Sequence, residues 1–299
     1  MTEAHTAVPF IIPPVSTAHV HRKMLDIPYA TLSPAQKLNI YWPDSDNSPY
    51  PIILSIHGGA FMGGDKGDIQ LTPMLEGLKR GYAVVSINYR MSGEARFPAL
   101  IHDLKAAIRW VRANAGTYML DARHIAAWGG SAGGYQALMA GVSEGIPELE
   151  DLTLGNADQP SLVQAVVAWF PPTDFRKMDE QLAEYGLGPT PGDEHSGARS
   201  PESLLLGRKI TEIPALVQKA NPETYIRPGL PPFLIQHGTK DATVPCLQSV
   251  RFAEKLAFVL DPERVTLDLL EGARHADPQF ESPENLEKVF AFLDQHLKP

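Results

Sequence analysis

Apolar residues cluster along this chain in short runs that alternate between two periods. Met24–Tyr29 and Lys37–Trp42 switch between apolar and polar residues, with Ser33-Pro34 between them, and predict a pair of antiparallel strands. Pro51–Ile56, Tyr82–Tyr89, His124–Trp128, Val163–Phe170, Pro232–His237 and Val265–Leu270 are denser, as in strands covered on both faces. Helical spacing is clearest in 97–115, where Leu100, Ile101, Leu104, Ala107, Ile108 and Val111 recur three or four residues apart. Pro98 suits its first turn and Gly116 its end. Further helices are predicted around Ile69–Lys79, after Ser131, over Leu247–Leu260 and over Pro283–Leu297. Strands alternating with helices imply an α/β fold, a mainly parallel sheet with helices on both faces.

Two segments stand outside the alternation. Residues 1–23 are polar and proline-punctuated and predict an arm that could contribute to a lid. Residues 174–230 are rich in Pro, Gly and charge, and read as a cap-like insertion between two strands. The expected organisation is therefore a single domain over 1–299 carrying both additions.

The densest candidate chemistry is Gly129-Gly130-Ser131-Ala132-Gly133. An apolar run precedes it and helix-compatible residues follow, so Ser131 falls on a sharp strand-to-helix turn. There the hydroxyl stands clear of the sheet, and the helix N-terminus points N–H groups at developing negative charge. A glycine turn whose serine merely caps the helix would leave the same pentapeptide, so the rest of the chain decides between them.

A serine hydroxyl becomes a nucleophile when a base takes its proton and an acid orients that base. On a strand–turn–helix serine the partners follow in the order Asp/Glu, then His, each on a loop after a later strand. Asp241, in His237-Gly238-Thr239-Lys240-Asp241, and His275, in Gly272-Ala273-Arg274-His275, obey that order. A capping aspartate and a surface histidine are the ordinary fates of such residues taken singly; order and position together favour catalysis. His57-Gly58-Gly59, after the strand at Pro51–Ile56, lets backbone N–H groups converge on an oxyanion. Gly58, Gly59 and Ala132 are the candidate donors. His102, His124, His195 and His237 are expected to be structural or exposed, and Cys246 to be a small buried residue.

Composition narrows the partners. Among 299 residues, 43% are hydrophobic, enough for a large core. A net charge of −9 supplies no basic surface for a phosphate backbone, so no nucleic acid is expected. A single cysteine excludes an internal disulfide and a Cys-based metal cluster. His19-x-His21 lacks further ligands and reads as an exposed arm, so no metal is expected. No Gly-Lys-Ser/Thr or Gly-x-Gly-x-x-Gly occurs. No membrane span and no basic-then-apolar leader is visible, and a cytoplasmic location is expected. A homodimer is left open.

Taken together, these motifs resemble the α/β-hydrolases of the hormone-sensitive-lipase-like esterase group. Within that group the chain is similar to the bifunctional feruloyl/acetyl xylan esterase family. The resemblance runs from about Leu25 onward. It rests on His57-Gly58-Gly59-Ala60-Phe61 with Gly64-Asp65-Lys66, Asn88-Tyr89-Arg90 and the serine pentapeptide. Trp169-Phe170-Pro171-Pro172-Thr173-Asp174-Phe175 and the two loops that carry Asp241 and His275 complete it. It implies a cofactor-free serine carboxylesterase acting on small-molecule acetyl- or feruloyl-type esters. Ser131 would be nucleophile, His275 base and Asp241 orienting acid. Ala60 replaces a common third glycine, and Pro171-Pro172 a more usual Gly-Pro; both bear on the substrate. A same-fold amidase or peptidase and a non-catalytic ligand-binding relative are the competing functions.

Overall fold

A computed structural model describes residues 12–45, 47–188 and 192–298. Eight strands form one sheet: β1 (Lys23–Pro28), β2 (Lys37–Tyr41), β3 (Tyr50–Ile56), β4 (Ala83–Ile87), β5 (Leu120–Gly130), β6 (Ala165–Trp169), β7 (Phe233–Gly238) and β8 (Val265–Leu270). Their order is β1-β2-β4-β3-β5-β6-β7-β8. β1 and β2 pair antiparallel, as do β2 and β4, and every pair from β4 to β8 is parallel. The sheet is thus the mostly parallel one that the alternation predicts.

Burial along the strands follows from their place. β4 and β6 are buried at every position because helices cover both faces. The edge strands β1 and β8 keep exposed residues. The parallel strands are connected by α1 (Thr72–Leu75), α2 (Ala99–Asn114), α3 (Ala132–Val142) and α7 (Leu247–Val259), and α8 (Pro283–Leu297) follows the last strand. Between β6 and β7 lie α4 (Met178–Glu184), α5 (Pro201–Leu206) and α6 (Pro214–Ala220). No described helix is long and apolar enough to cross a membrane.

Two local expectations are corrected. The helix over 69–79 is a four-residue α1 between two 3₁₀ turns, since Pro73 stands at its second position and Gly77 lies in the following turn. A Cβ on Gly77 would stand 2.6 Å from Ile53 Cδ1, so a larger residue there requires the Ile53 side chain to move. β5 begins at Leu120, before the apolar run that marks it, because its register on β3 shifts between Tyr50 and Ile52. Segment 174–230 buries Leu205, Leu206, Ile210, Val217 and Ala220 in the apolar cluster that also holds α2 and α3 residues. Its Pro/Gly content had masked that packing. Of the N-terminal arm, residues 1–11 lie outside the described residues. Pro14 bridges to Asp68, Val15 N–H donates to Gly67 O at 2.8 Å, and Pro13 O accepts from Ile69 N–H at 2.8 Å.

All of α3 is buried, and its small residues let it lie close on β3, β5 and β6. A Cβ on Gly133 would fall 2.1 Å from Ile56 O and 2.8 Å from His57 O. Gly133→Ala therefore pushes α3 off the sheet at the turn that carries Ser131. A loss of about 3 kcal/mol or more is expected, read as a lowered Tm in calorimetry. An unchanged Tm would show that α3 can retreat without cost.

Candidate active site

The carboxyl ends of the parallel strands place the predicted residues together. Ser131 has φ 56° and ψ −122°, outside the comfortable region for an L-residue. The strain is held by its N–H, which donates to Trp169 O at 2.9 Å, and by its carbonyl, which accepts from Tyr135 N–H at 2.9 Å. The side chain is thereby lifted off the end of β5.

The loops after β7 and β8 are laced to each other. Thr239 N–H donates to Leu270 O at 3.1 Å, Lys240 N–H to Ala273 O at 2.9 Å, and Gly272 N–H to the Thr239 hydroxyl at 2.8 Å. This lacing sets His275 against Asp241. His275 Nδ1 lies 2.7 Å from Asp241 Oδ2, and its Nε2 lies 3.1 Å from Ser131 Oγ. A carboxylate only accepts, so Nδ1 carries the hydrogen and Nε2 is left to accept from the serine hydroxyl. Phe170 stands edge-on to the His275 ring at 4.7 Å and packs Phe280 behind it.

Asp241 is almost wholly buried. Its Oδ1 accepts from Thr243 N–H and Val244 N–H, both at 2.9 Å. Burial pushes its carboxyl up, but hydrogen bonds from His237 and His275 outweigh this and hold it well below the usual carboxylate range. His237 was expected to be structural or exposed, and it is fully buried at the acid's side. Its Nε2 faces Val244 O at 2.8 Å and Asp241 Oδ2 at 3.3 Å, while Nδ1 accepts from the Ser249 hydroxyl at 2.7 Å. The sequence signal was its place four residues before Asp241, across the Gly238 turn. His195, from the segment before β7, sits partly buried between Glu202 (3.1 Å) and Thr243 O (2.9 Å). It ties that segment to the Asp241 loop.

The Gly58-Gly59 loop lies on the other side of Ser131. Gly59, Ala60 and Phe61 all have positive φ, at 120°, 54° and 62°. Such a run persists only when its surroundings hold it. Phe61 is buried edge-on to Tyr135 at 5.4 Å. His57 is buried and stacked on Tyr89 at 4.5 Å, and its Nδ1 donates to Gly58 O at 2.9 Å. Burial pushes the His57 pKa down. The Tyr89 hydroxyl donates to His57 O at 2.9 Å.

One expectation about the donors changes. Gly58 N–H is engaged, at 2.9 Å, by the Gln70 side-chain oxygen. Among the described residues no protein acceptor faces the N–H of Gly59 or Ala132, so these two remain available for an oxyanion. Sequence reading missed Gln70 because its neighbours in the chain carry no chemical motif. Elsewhere, His19 and His21 are exposed, and no cluster of three or more metal-ligating side chains forms among the described residues. Cys246 is buried before α7.

Known proteins resemble this chain in sequence and fold. The BD-FAE family model matches residues 38–256. Esterase LipC of Mycobacterium tuberculosis is 30% identical over 277 residues, covering 88% of this chain and 65% of that protein. The chain spans between about half and two thirds of the length of curated relatives that it matches. A truncated carbohydrate esterase from gut microbiota superposes with a TM-score of 0.83 at 29% identity, covering 97% of this chain and 100% of that one. A bifunctional GH43-CE protein of Bacteroides eggerthii superposes with a TM-score of 0.81 at 33% identity, over 92% of this chain and 35% of that one. With the sheet order, the serine turn and these matches in agreement, the chain belongs to the BD-FAE family, within the hormone-sensitive-lipase-like α/β-hydrolases that its motifs resemble.

Proposed function

We propose that this protein is a serine carboxylesterase that cleaves short-chain acyl or small aromatic esters through an acyl-enzyme. The observation that carries the reading is the unbroken hydrogen-bonded chain from Ser131 Oγ through His275 to the buried Asp241. In this mechanism His275 Nε2 takes the hydroxyl proton as Ser131 attacks the ester carbonyl. The N–H groups of Gly59 and Ala132 hold the oxyanion. The alkoxide leaves with the proton from His275, and water then repeats the sequence on the acyl-serine. Asp241, kept ionised by His237 and His275, orients the imidazole and balances its transient charge.

The alcohol is proposed to be a sugar hydroxyl, on the strength of the match over 97% of this chain to a carbohydrate esterase, and the acid acetyl or feruloyl, as the motif resemblance implies. Ala60, at positive φ, places a methyl in the oxyanion loop. Phe170 packs against His275 itself.

p-Nitrophenyl acetate should give a pre-steady-state burst of about one p-nitrophenol per active site, and quenched protein should carry one acetyl group on the peptide containing Ser131. Adduct on another residue, or turnover without any Ser131 dependence, would sink the mechanism.

A further inference from the structure

Gly58 N–H, one of three donors that the sequence offers to an oxyanion, ends in this structure on the oxygen of Gln70. The Gln70 amide cannot be turned around. Its Nε2 faces Asp68 Oδ2 at 3.0 Å, and a carboxylate only accepts; Gly58 N–H only donates. The amide supplies a donor to the first and an acceptor to the second.

Asp68 is itself immobilised. It is 2% exposed, and its two oxygens also accept from Asp65 N–H at 3.0 Å and Gln70 N–H at 2.9 Å. The loop that holds it is tied on both sides. Asn88, just after β4, accepts from Lys66 N–H at 2.6 Å and donates to Asp65 at 2.7 Å. On the far side the arm residues Pro13 and Val15 pair with Ile69 and Gly67. Releasing Gln70 would strand two polar groups in a poorly solvated place, at a cost that disfavours displacement during turnover.

Gly58 also lies against the nucleophile: a Cβ built on it would stand 3.3 Å from Ser131 Cβ and 2.7 Å from Gly130 O. Holding the Gly58 N–H therefore anchors the start of the loop from which the next N–H, that of Gly59, projects. We propose that Gln70 is a positioning residue of the esterase site: anchored on Asp68, it holds Gly58 as the fixed end of the oxyanion loop and leaves a two-donor hole made by Gly59 and Ala132. This rests on the esterase reading above. It predicts an effect on the transition state with little effect on ground-state binding, because Gln70 acts only on the donors that meet the developing charge.

Gln70→Met keeps the side chain's length and removes both hydrogen bonds. It should lower kcat for p-nitrophenyl acetate by about 10-fold to 100-fold, the scale of a donor misplaced by a fraction of an ångström to an ångström. KM should stay within about twofold. The Gly58 amide, slow to exchange with deuterium in the wild type, should exchange fast in the variant.

Gln70→Glu separates anchoring from loop damage. A protonated carboxyl can donate to Asp68 and accept from Gly58, whereas the ionised form cannot donate. Its kcat deficit against wild type should therefore be small at low pH and grow as pH rises. The charged and titratable groups facing this pair are Asp68, Asp65 and Lys66 of the same loop and His57 at the end of β3; Asp26 from β1 pairs with Lys66 at 2.8 Å.

Unchanged or raised kcat in Gln70→Met would overturn the proposal, the second by showing that Gln70 obstructs the site; Ser131-dependent turnover would persist in either case. A wild type with no Ser131-dependent turnover would overturn the esterase reading instead, and a protected Gly58 amide would then still report the contact. A loss confined to KM, or a Gln70→Glu deficit that does not change with pH, also overturns the anchoring role.

Discussion

Ser131→Ala should reduce kcat for p-nitrophenyl acetate by about 10⁴-fold or more, the loss seen when the nucleophile of a Ser-His-Asp unit is removed. The residual rate would come from the N–H groups of Gly59 and Ala132 and from substrate binding. Because Ser131 already holds a strained backbone, the variant should fold with a circular dichroism spectrum like that of the wild type. A matched-concentration comparison of initial rates checks this. Turnover within about 10-fold of wild type in the folded variant would remove Ser131 as the nucleophile and make a binding protein the leading alternative.

Asp241→Asn should cost about 10⁴-fold in kcat, although the substitution removes only a charge. An asparagine can present its amide hydrogens to His275 Nδ1. That would hold the ring in the tautomer with hydrogen on Nε2, which cannot accept the Ser131 proton. His237 Nε2 keeps Val244 O as its acceptor at 2.8 Å, so nothing at that side turns the amide back toward the productive tautomer. KM should move little, since Asp241 is buried away from substrate. A loss below about 10-fold would mean that His275 is oriented by something else.

The same carboxyl links folding to pH. Its folded-state pKa is held below the unfolded value of about 3.9. The stability it contributes is thus fully present above the unfolded value and is lost as pH falls through the window below it. Wild-type Tm should fall more steeply than that of Asp241→Asn between about pH 4 and pH 2. Parallel curves in that window would show that the hydrogen bonds from His237 and His275 do not favour the ionised form.

Much of this protein was legible in its residues before any fold was known. Covered strands announce themselves as runs such as Ile52–Ile56 because both faces must be apolar, and α2 because its buried positions repeat every three or four residues. The serine turn is legible because only small residues survive where α3 meets β3, as the 2.1 Å approach at Gly133 shows. The order Ser131, Asp241, His275 is a consequence of topology, since each residue follows a strand of one parallel sheet.

What the tertiary structure alone decided is which polar groups meet. Gln70 reaches Gly58, His237 reaches Asp241 and His195 reaches Thr243. The contacts of Gln70 and His195 leave no periodicity or spacing rule, because each joins segments whose mutual placement is set by the packed sheet, whereas that of His237 is local to the turn after β7. The path of segment 174–230 was hidden for a related reason. Its buried residues, among them Leu205, Ile210 and Val217, come from short helices and turns with no long repeat. A regular element writes its burial into the sequence, whereas a loop's burial is written only by the surface on which it lands.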